Sequence, residues 1–140
     1  MSIKFTNNAV TTLSSAINNS TTTLPLTDGS TFPALSGSGD YCYVTMHDTI
    51  SGAIEVVKAT ARSGNSLTVV RAQEGTTASA FDSGKKVELR ITAQGLTDLA
   101  EIPTQSGQSG RFLTTDGSTV SWATVQAGFQ ESKAYFFASF

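Results

Sequence analysis

His47 is the only imidazole in the sequence, and that alone narrows the chemistry on offer. Covalent hydrolysis needs a nucleophile, a base and a group that orients the base. Asp48 follows His47 and serines abound, but no G-x-S-x-G elbow occurs, and hydroxyls this frequent make a Ser/His/Asp grouping an accident of composition. His47 is therefore read as a strand-end or turn residue. Glycoside hydrolysis would need two acids facing one cleft. Glu55, Asp82, Glu88, Glu101 and Asp116 instead stand singly in strand or turn contexts and are expected to be solvated. The sequence contains no H-E-x-x-H, no EF-hand loop and no second histidine, so no metal centre is expected. Gly37 and Gly39 lack the Lys-Ser/Thr and helix start of a phosphate loop and read as turn glycines. Trp122 with Tyr41 and Tyr43 would suit a sugar-stacking platform, although a tryptophan in a hairpin more often anchors packing. The reading is a non-enzymatic chain with no catalytic residues, no metal and no cofactor.

Composition points the same way. The 140 residues carry nine Lys and Arg against eleven Asp and Glu, a net charge of -2. That lacks the basic excess that binding to a phosphate backbone requires, so nucleic acid is not an expected partner. Thr, Ser, Gly and Asn dominate the polar residues, which favours strands and turns over helices. Cys42 is the only cysteine; it can form no intrachain disulfide and is read as a small buried side chain. No apolar run approaches a membrane span, and the N-terminal residues show no signal-peptide pattern. The expectation is a soluble chain made in the cytoplasm, with no membrane partner.

The elements that would hold such residues follow from periodicity. In residues 85–92, Val87, Leu89 and Ile91 alternate with Lys86, Glu88 and Arg90, the pattern of a half-buried strand. Residues 53–60 and 66–71 are β-branched runs on either side of 62–65, where Gly64 and Asn65 suit a reversal with positive φ. Residues 40–47 read as a further strand, with 48–52 turning into that hairpin. Residues 3–6 read as a short strand. Residues 21–27 read as an edge strand because of Pro25, followed by a turn at Asp28-Gly29. Residues 9–17 are ambiguous: Val10, Leu13, Ala16 and Ile17 fit a helix face, while the many Thr and Ser oppose a helix. Residues 92–101 predict a helical turn placing Leu96 and Leu99 against the core, ended by Pro103. Residues 102–110 have linker composition. Residues 111–123 read as two strand runs about Asp116-Gly117, a hairpin too small to be stable alone. Four aromatics gather in residues 134–140, which marks that segment as an interface.

Residues 55–78, EVVKATARSGNSLTVVRAQEGTTA, follow a recurring pattern, E-[IV]-V-K-x-T-x-R-x-G-x-x-L-T-V-x-R-x-Q-E-G-T-x-A, with Gly84 and the 87–91 strand after it. On these residues, with Phe5, Asn8, Ala9, Thr12, Leu13 and Phe32-Pro33 upstream, the chain resembles a module at the N-terminus of many tailed-bacteriophage fibre and minor virion proteins, over roughly residues 3 to 101. Residues 107–122, GQSGRFLTTDGSTVSW, resemble the short G-x-x-G-[KR]-[FY]-L-T-T-[DN]-G-x-x-x-S-W unit of phage tail fibres, which implies a trimeric stem. Fibre proteins of this kind continue into long shafts, whereas this sequence stops at Phe140.

The expected fold is mainly β: a small antiparallel β-sandwich or barrel with a short helical segment, then a linker and a trimer-forming β-hairpin tail. The expected organisation is a virion-docking domain over 1–101, a linker over 102–110 and an oligomerising segment over 111–140. The resemblance implies a structural virion component that assembles inside the cell, a homotrimeric tail-fibre or fibre-attachment protein whose partners are itself, other virion proteins of tail or capsid, and a further fibre protein recruited through the C-terminus. A trimeric capsid decoration protein and a carbohydrate-binding module are the alternatives. Phe112, Leu113, Trp122, Phe129, Tyr135, Phe136, Phe137 and Phe140 are the expected interface residues. Arg71 and Glu74 are candidates for fixing the turn after the Leu67 strand, or else form an exposed ion pair.

Overall fold

The computed structural model describes residues 2–100 and 102–124, in two compact units that divide between Leu99 and Ala100. Phe129, Tyr135, Phe136, Phe137 and Phe140 lie outside the described residues.

The first unit is mainly β. Its strands are β1 (Ser2–Ile3), β2 (Val10–Thr12), β3 (Thr23–Pro25), β4 (Asp40–His47), β5 (Ile54–Ser63), β6 (Ser66–Gln73) and β7 (Lys86–Glu88), followed by one helix, α1 (Ala93–Leu99). They form a single sheet in the order β2-β7-β4-β5-β6-β3, antiparallel throughout, with β1 added parallel to β4. The sheet curls until its end strands meet. Leu13 bridges Leu26, Thr27 donates its amide to the Thr12 carbonyl, and Ser14 donates to the Pro25 carbonyl, both at 2.9 Å. Strand β3 thus lies at the end of the sheet order, where Pro25 leaves no ladder donor missing from a central strand.

Period-2 alternation fills the interior. Cys42, Val44 and Met46 of β4 turn inward, in register with Ala59, Val57 and Glu55 of β5. Leu67 and Val69 of β6 and Val87 of β7 join them. Leu13, Leu24, Leu26, Phe32 and Phe81 from the shorter segments close the core. Burial of each side chain of this size contributes about 1.5–3 kcal/mol. Residues 9–17 hold no helix: Val10–Thr12 is strand β2, and Leu13 and Ile17 form isolated bridges. Leu13 and Ile17 donate their amides to the carbonyls of Lys85 and Phe81, so the backbone is spent on neighbouring chain, and Val10 of the supposed helix face is 49% exposed.

Three local readings need correction. The strand expected over 85–92 ends at Glu88, and Ile91 is 72% exposed. In the turn between β5 and β6 only Gly64 takes a positive φ, +53°. Asn65 works through its side chain, accepting from the Gly29 amide at 2.9 Å and donating to the Thr27 carbonyl at 3.3 Å. The third concerns α1, which turns Gly95, not Leu96 and Leu99, toward the sheet. A Cβ on Gly95 would lie 3.5 Å from Ile3 and 3.7 Å from Tyr43. The missing side chain lets the helix lie flat, and Leu96 and Leu99 face outward.

In the second unit, β8 (Arg111–Thr115) pairs antiparallel with β9 (Val120–Thr124). The Asp116 carboxylate accepts from the amides of Ser118 and Thr119, and Gly117 takes φ +90°. The Trp122 indole N–H donates to the Pro103 carbonyl at 3.2 Å, so part of the stretch expected to be a linker lies against the hairpin.

Candidate functional site

The recurring pattern begins with Glu55, and the expectation that this acid is solvated is wrong. Glu55 stands in step with Val57 and Ala59 on β5, so alternation carries its side chain inward, where it is fully buried. Arg71 meets it there. Nε donates to Oε1 at 2.7 Å and Nη2 to Oε2 at 2.6 Å, the two-point fork that a guanidinium and a carboxylate share. Oε1 also accepts from the Ala72 amide and Oε2 from the Ser79 amide, both at 3.0 Å. The remaining guanidinium hydrogens go to the carbonyls of Asn18, Thr21 and Ser79 at 2.7–2.9 Å. All five donors of Arg71 have acceptors. Burial alone would push the Glu55 carboxyl up; Arg71 and the Ser79 and Ala72 amides outweigh it and hold it below the usual carboxylate range.

The end of the pattern, residues 72–76, shapes the turn that this pair clamps. Ala72 (φ +54°), Glu74 (+52°) and Gly75 (+75°) are left-handed. Gln73 donates its side-chain amide to the Arg71 carbonyl at 2.8 Å, and Thr76 donates to the Gln73 carbonyl at 2.7 Å while accepting from the Val56 amide at 3.1 Å. Arg71 thus ties the turn to the body through Glu55 and Ser79. Glu74 stands apart from that network and accepts from the Gln94 amide of α1 at 3.2 Å. The ion pair is between Arg71 and Glu55, not Arg71 and Glu74.

Tyr41 and Tyr43, weighed as part of a sugar platform, are buried. Their rings meet edge to face at 5.8 Å, and both hydroxyls donate to Asp98 Oδ2, at 2.8 and 3.2 Å. The Lys58 ammonium sits 3.9 Å from the centre of the Tyr41 ring. Burial first, then the Asp98 carboxylate, pushes both phenols up to about 12. Asp98 also accepts from Gln94 one turn earlier in α1 at 2.7 Å, and its bonds to the two tyrosines fasten α1 to β4. His47 closes β4 opposite Ile54 and Lys86, and the Asp48 carboxylate accepts from Lys85 Nζ at 2.7 Å and from the Ile50 amide at 3.0 Å. Glu88 is buried as well, with Lys86 Nζ 2.9 Å from one oxygen and the Arg90 guanidinium against the other.

What α1 leaves open is an apolar cleft of about 280 Å³ lined by Phe5, Leu89, Ile91, Leu96 and Leu99, with Thr6 and Asn7 at its rim. Ile91, Leu96 and Leu99 are 72%, 57% and 49% exposed, and no charged residue lines the cleft. Sequence reasoning assigned these leucines to the core and missed the cleft. Gly95 beside Leu96 was the available signal, because a helix buries the face that permits the closer approach.

In the second unit the register separates two expected interface residues. Phe112 lies opposite Ala123, and Leu113 opposite Trp122, so Phe112 and Leu113 point to opposite faces of the hairpin. They are 46% and 44% exposed, while Trp122 is half-buried. Among the described residues, no three His, Cys, Asp or Glu side chains are grouped to hold a metal ion, and no helix is long and apolar enough to cross a membrane. Comparison with protein families and with curated proteins found no match to this chain.

Proposed function

We propose that this protein is a structural component of a bacteriophage particle, a trimeric tail-fibre or fibre-attachment protein whose first unit docks on the virion and whose second unit gathers copies of the chain. The observation that carries the reading is the assignment of the recurring pattern. Glu55, Arg71, Gln73, Gly75 and Thr76, five of the polar and glycine positions in the pattern that resembles phage fibre modules, serve one clamped turn. A pattern spent on building a turn describes a scaffold, and what a scaffold offers is its surfaces. Two such surfaces support the reading: the uncharged cleft beside α1, suited to an apolar segment of a neighbouring virion protein, and the hairpin with apolar residues on both faces.

The test is incorporation. Particles assembled with an epitope-tagged full chain should carry it, and electron microscopy with a labelled antibody should place it at the tail. Labelling over the capsid would assign the decoration role instead. A tagged chain that expresses and folds but is absent from purified particles would sink the virion reading. Leu96→Asp with Leu99→Asp, both on exposed positions, should leave the fold intact and cut incorporation at least tenfold.

A further inference from the structure

We infer that α1 is a strap that opens and closes as a unit over a sheet that stays folded, carrying part of the lining of the apolar cleft with it. None of its seven residues belongs to the interior cluster, which the sheet and its loops complete without it. The bond from the Leu89 amide to the Ala9 carbonyl at 3.0 Å is, among the described residues, the last backbone bond that ties residues 89–99 to the sheet. Beyond it α1 rests on Gly95, its one buried residue, on the two phenols that donate to Asp98, and on Glu74, which accepts from the Gln94 amide.

These contacts differ in kind from the Glu55–Arg71 clamp. Breaking that clamp leaves buried groups without partners, whereas lifting α1 hands Asp98, Glu74 and both phenols to water. Leu96 and Leu99 are exposed with the strap closed, so their burial adds little resistance. A helix of two turns does not persist in water by itself. It therefore unwinds as it lifts, which makes the opening all-or-none along its length. The cleft changes with it. Leu96 and Leu99 supply one part of the lining and Phe5 and Leu89 another, so a group that touches all four meets them together in the closed state alone and holds the strap shut.

Native-state hydrogen exchange of the full chain at pH 7, followed residue by residue by NMR in increasing sub-denaturing urea, reads the opening directly. The amides of Leu96, Thr97, Asp98 and Leu99 should share one protection factor within about threefold, exchange roughly a hundredfold faster than the slowest amides of β4 and β5, and respond weakly to urea. Two variants separate the strap from the sheet. Tyr41→Phe with Tyr43→Phe keeps both rings and removes both bonds to Asp98, and should speed exchange across α1 roughly tenfold. Val69→Ala, in the core beneath β6, should speed the slowest sheet amides and leave α1 unchanged, because the sheet is intact in both states of the strap. Exchange in α1 that matches the sheet in rate and urea response, or that accelerates with it in Val69→Ala, would make the two one cooperative unit and overturn the strap. A gradient of protection falling from Leu96 to Leu99 would show fraying from one end instead and overturn it as well, as would a double phenylalanine variant with α1 exchange unchanged.

Discussion

Glu55 and Arg71, sixteen residues apart on neighbouring strands, form a two-point ion pair whose side chains are 0% and 7% exposed. A pair this deep contributes less through attraction than its removal costs, because desolvation offsets much of the Coulomb gain. Its particular weight here comes from five backbone groups that use it as their partner: the amides of Ala72 and Ser79 and the carbonyls of Asn18, Thr21 and Ser79.

Arg71→Ala and Glu55→Gln should each lower stability by about 3–5 kcal/mol in urea denaturation of the full chain. Replacing both with apolar residues would often restore a simple buried pair. In this protein the double variant Glu55→Leu, Arg71→Met should remain at least ~3 kcal/mol below the wild type, since the five backbone groups stay unsatisfied. Recovery to wild-type stability would mean that the backbone bonds carry no weight.

The same pair sets a pH dependence. Glu55, Glu88 and Asp98 all have carboxyls held below their ordinary values, so the stability they supply is present above about pH 4–5 and lost as pH falls through their folded-state values. Melting temperature should be flat between pH 7 and about pH 5 and fall below that. Glu55→Gln should start lower and lose less on acidification. A melting temperature that rises on acidification would contradict this.

Tyr41 and Tyr43 should ionise late. Two of the three tyrosines titrate near 12, so absorbance at the phenolate band should show two late protons in the folded chain. Folding raises these values, so their contribution is complete below about pH 10 and lost as pH rises toward 12. Asp98→Asn should bring both titrations earlier and, because Asp98 fastens α1, speed amide exchange in that helix.

Gly29→Ala should destabilise the first unit by about 1–3 kcal/mol. The added Cβ would lie 2.5 Å from the Gly64 carbonyl oxygen, a backbone atom that cannot move without disturbing the β5–β6 hairpin. Thermal melts compare the two chains directly, and an unchanged melting point would show that the loops separate freely.

Cys42 should be inert. It is fully buried, and burial pushes its thiol up to about 12, so neither access nor thiolate is available. An aromatic disulfide reagent should label no thiol in the native chain and one in denaturant.

Much of this was legible from the sequence because it depends on local pattern. The β-branched runs in 53–60 and 66–71 declare strands whichever neighbours they find, Pro25 declares an edge, and Asp116-Gly117 declares a turn, each through backbone preferences that act over a few residues. What pattern could not supply was direction. Glu55 and Glu88 look like surface acids until the strands pair and the partners Arg71, Lys86 and Arg90 arrive from elsewhere. Leu96 and Leu99 look like core residues until Gly95 takes the close approach to Tyr43. Phe112 and Leu113 look like one patch until the register turns them apart. Strand and turn formation are near-neighbour matters, written in the order of residues. Which side of an element is buried depends on contacts between residues far apart in the chain, and only the packed fold decides those.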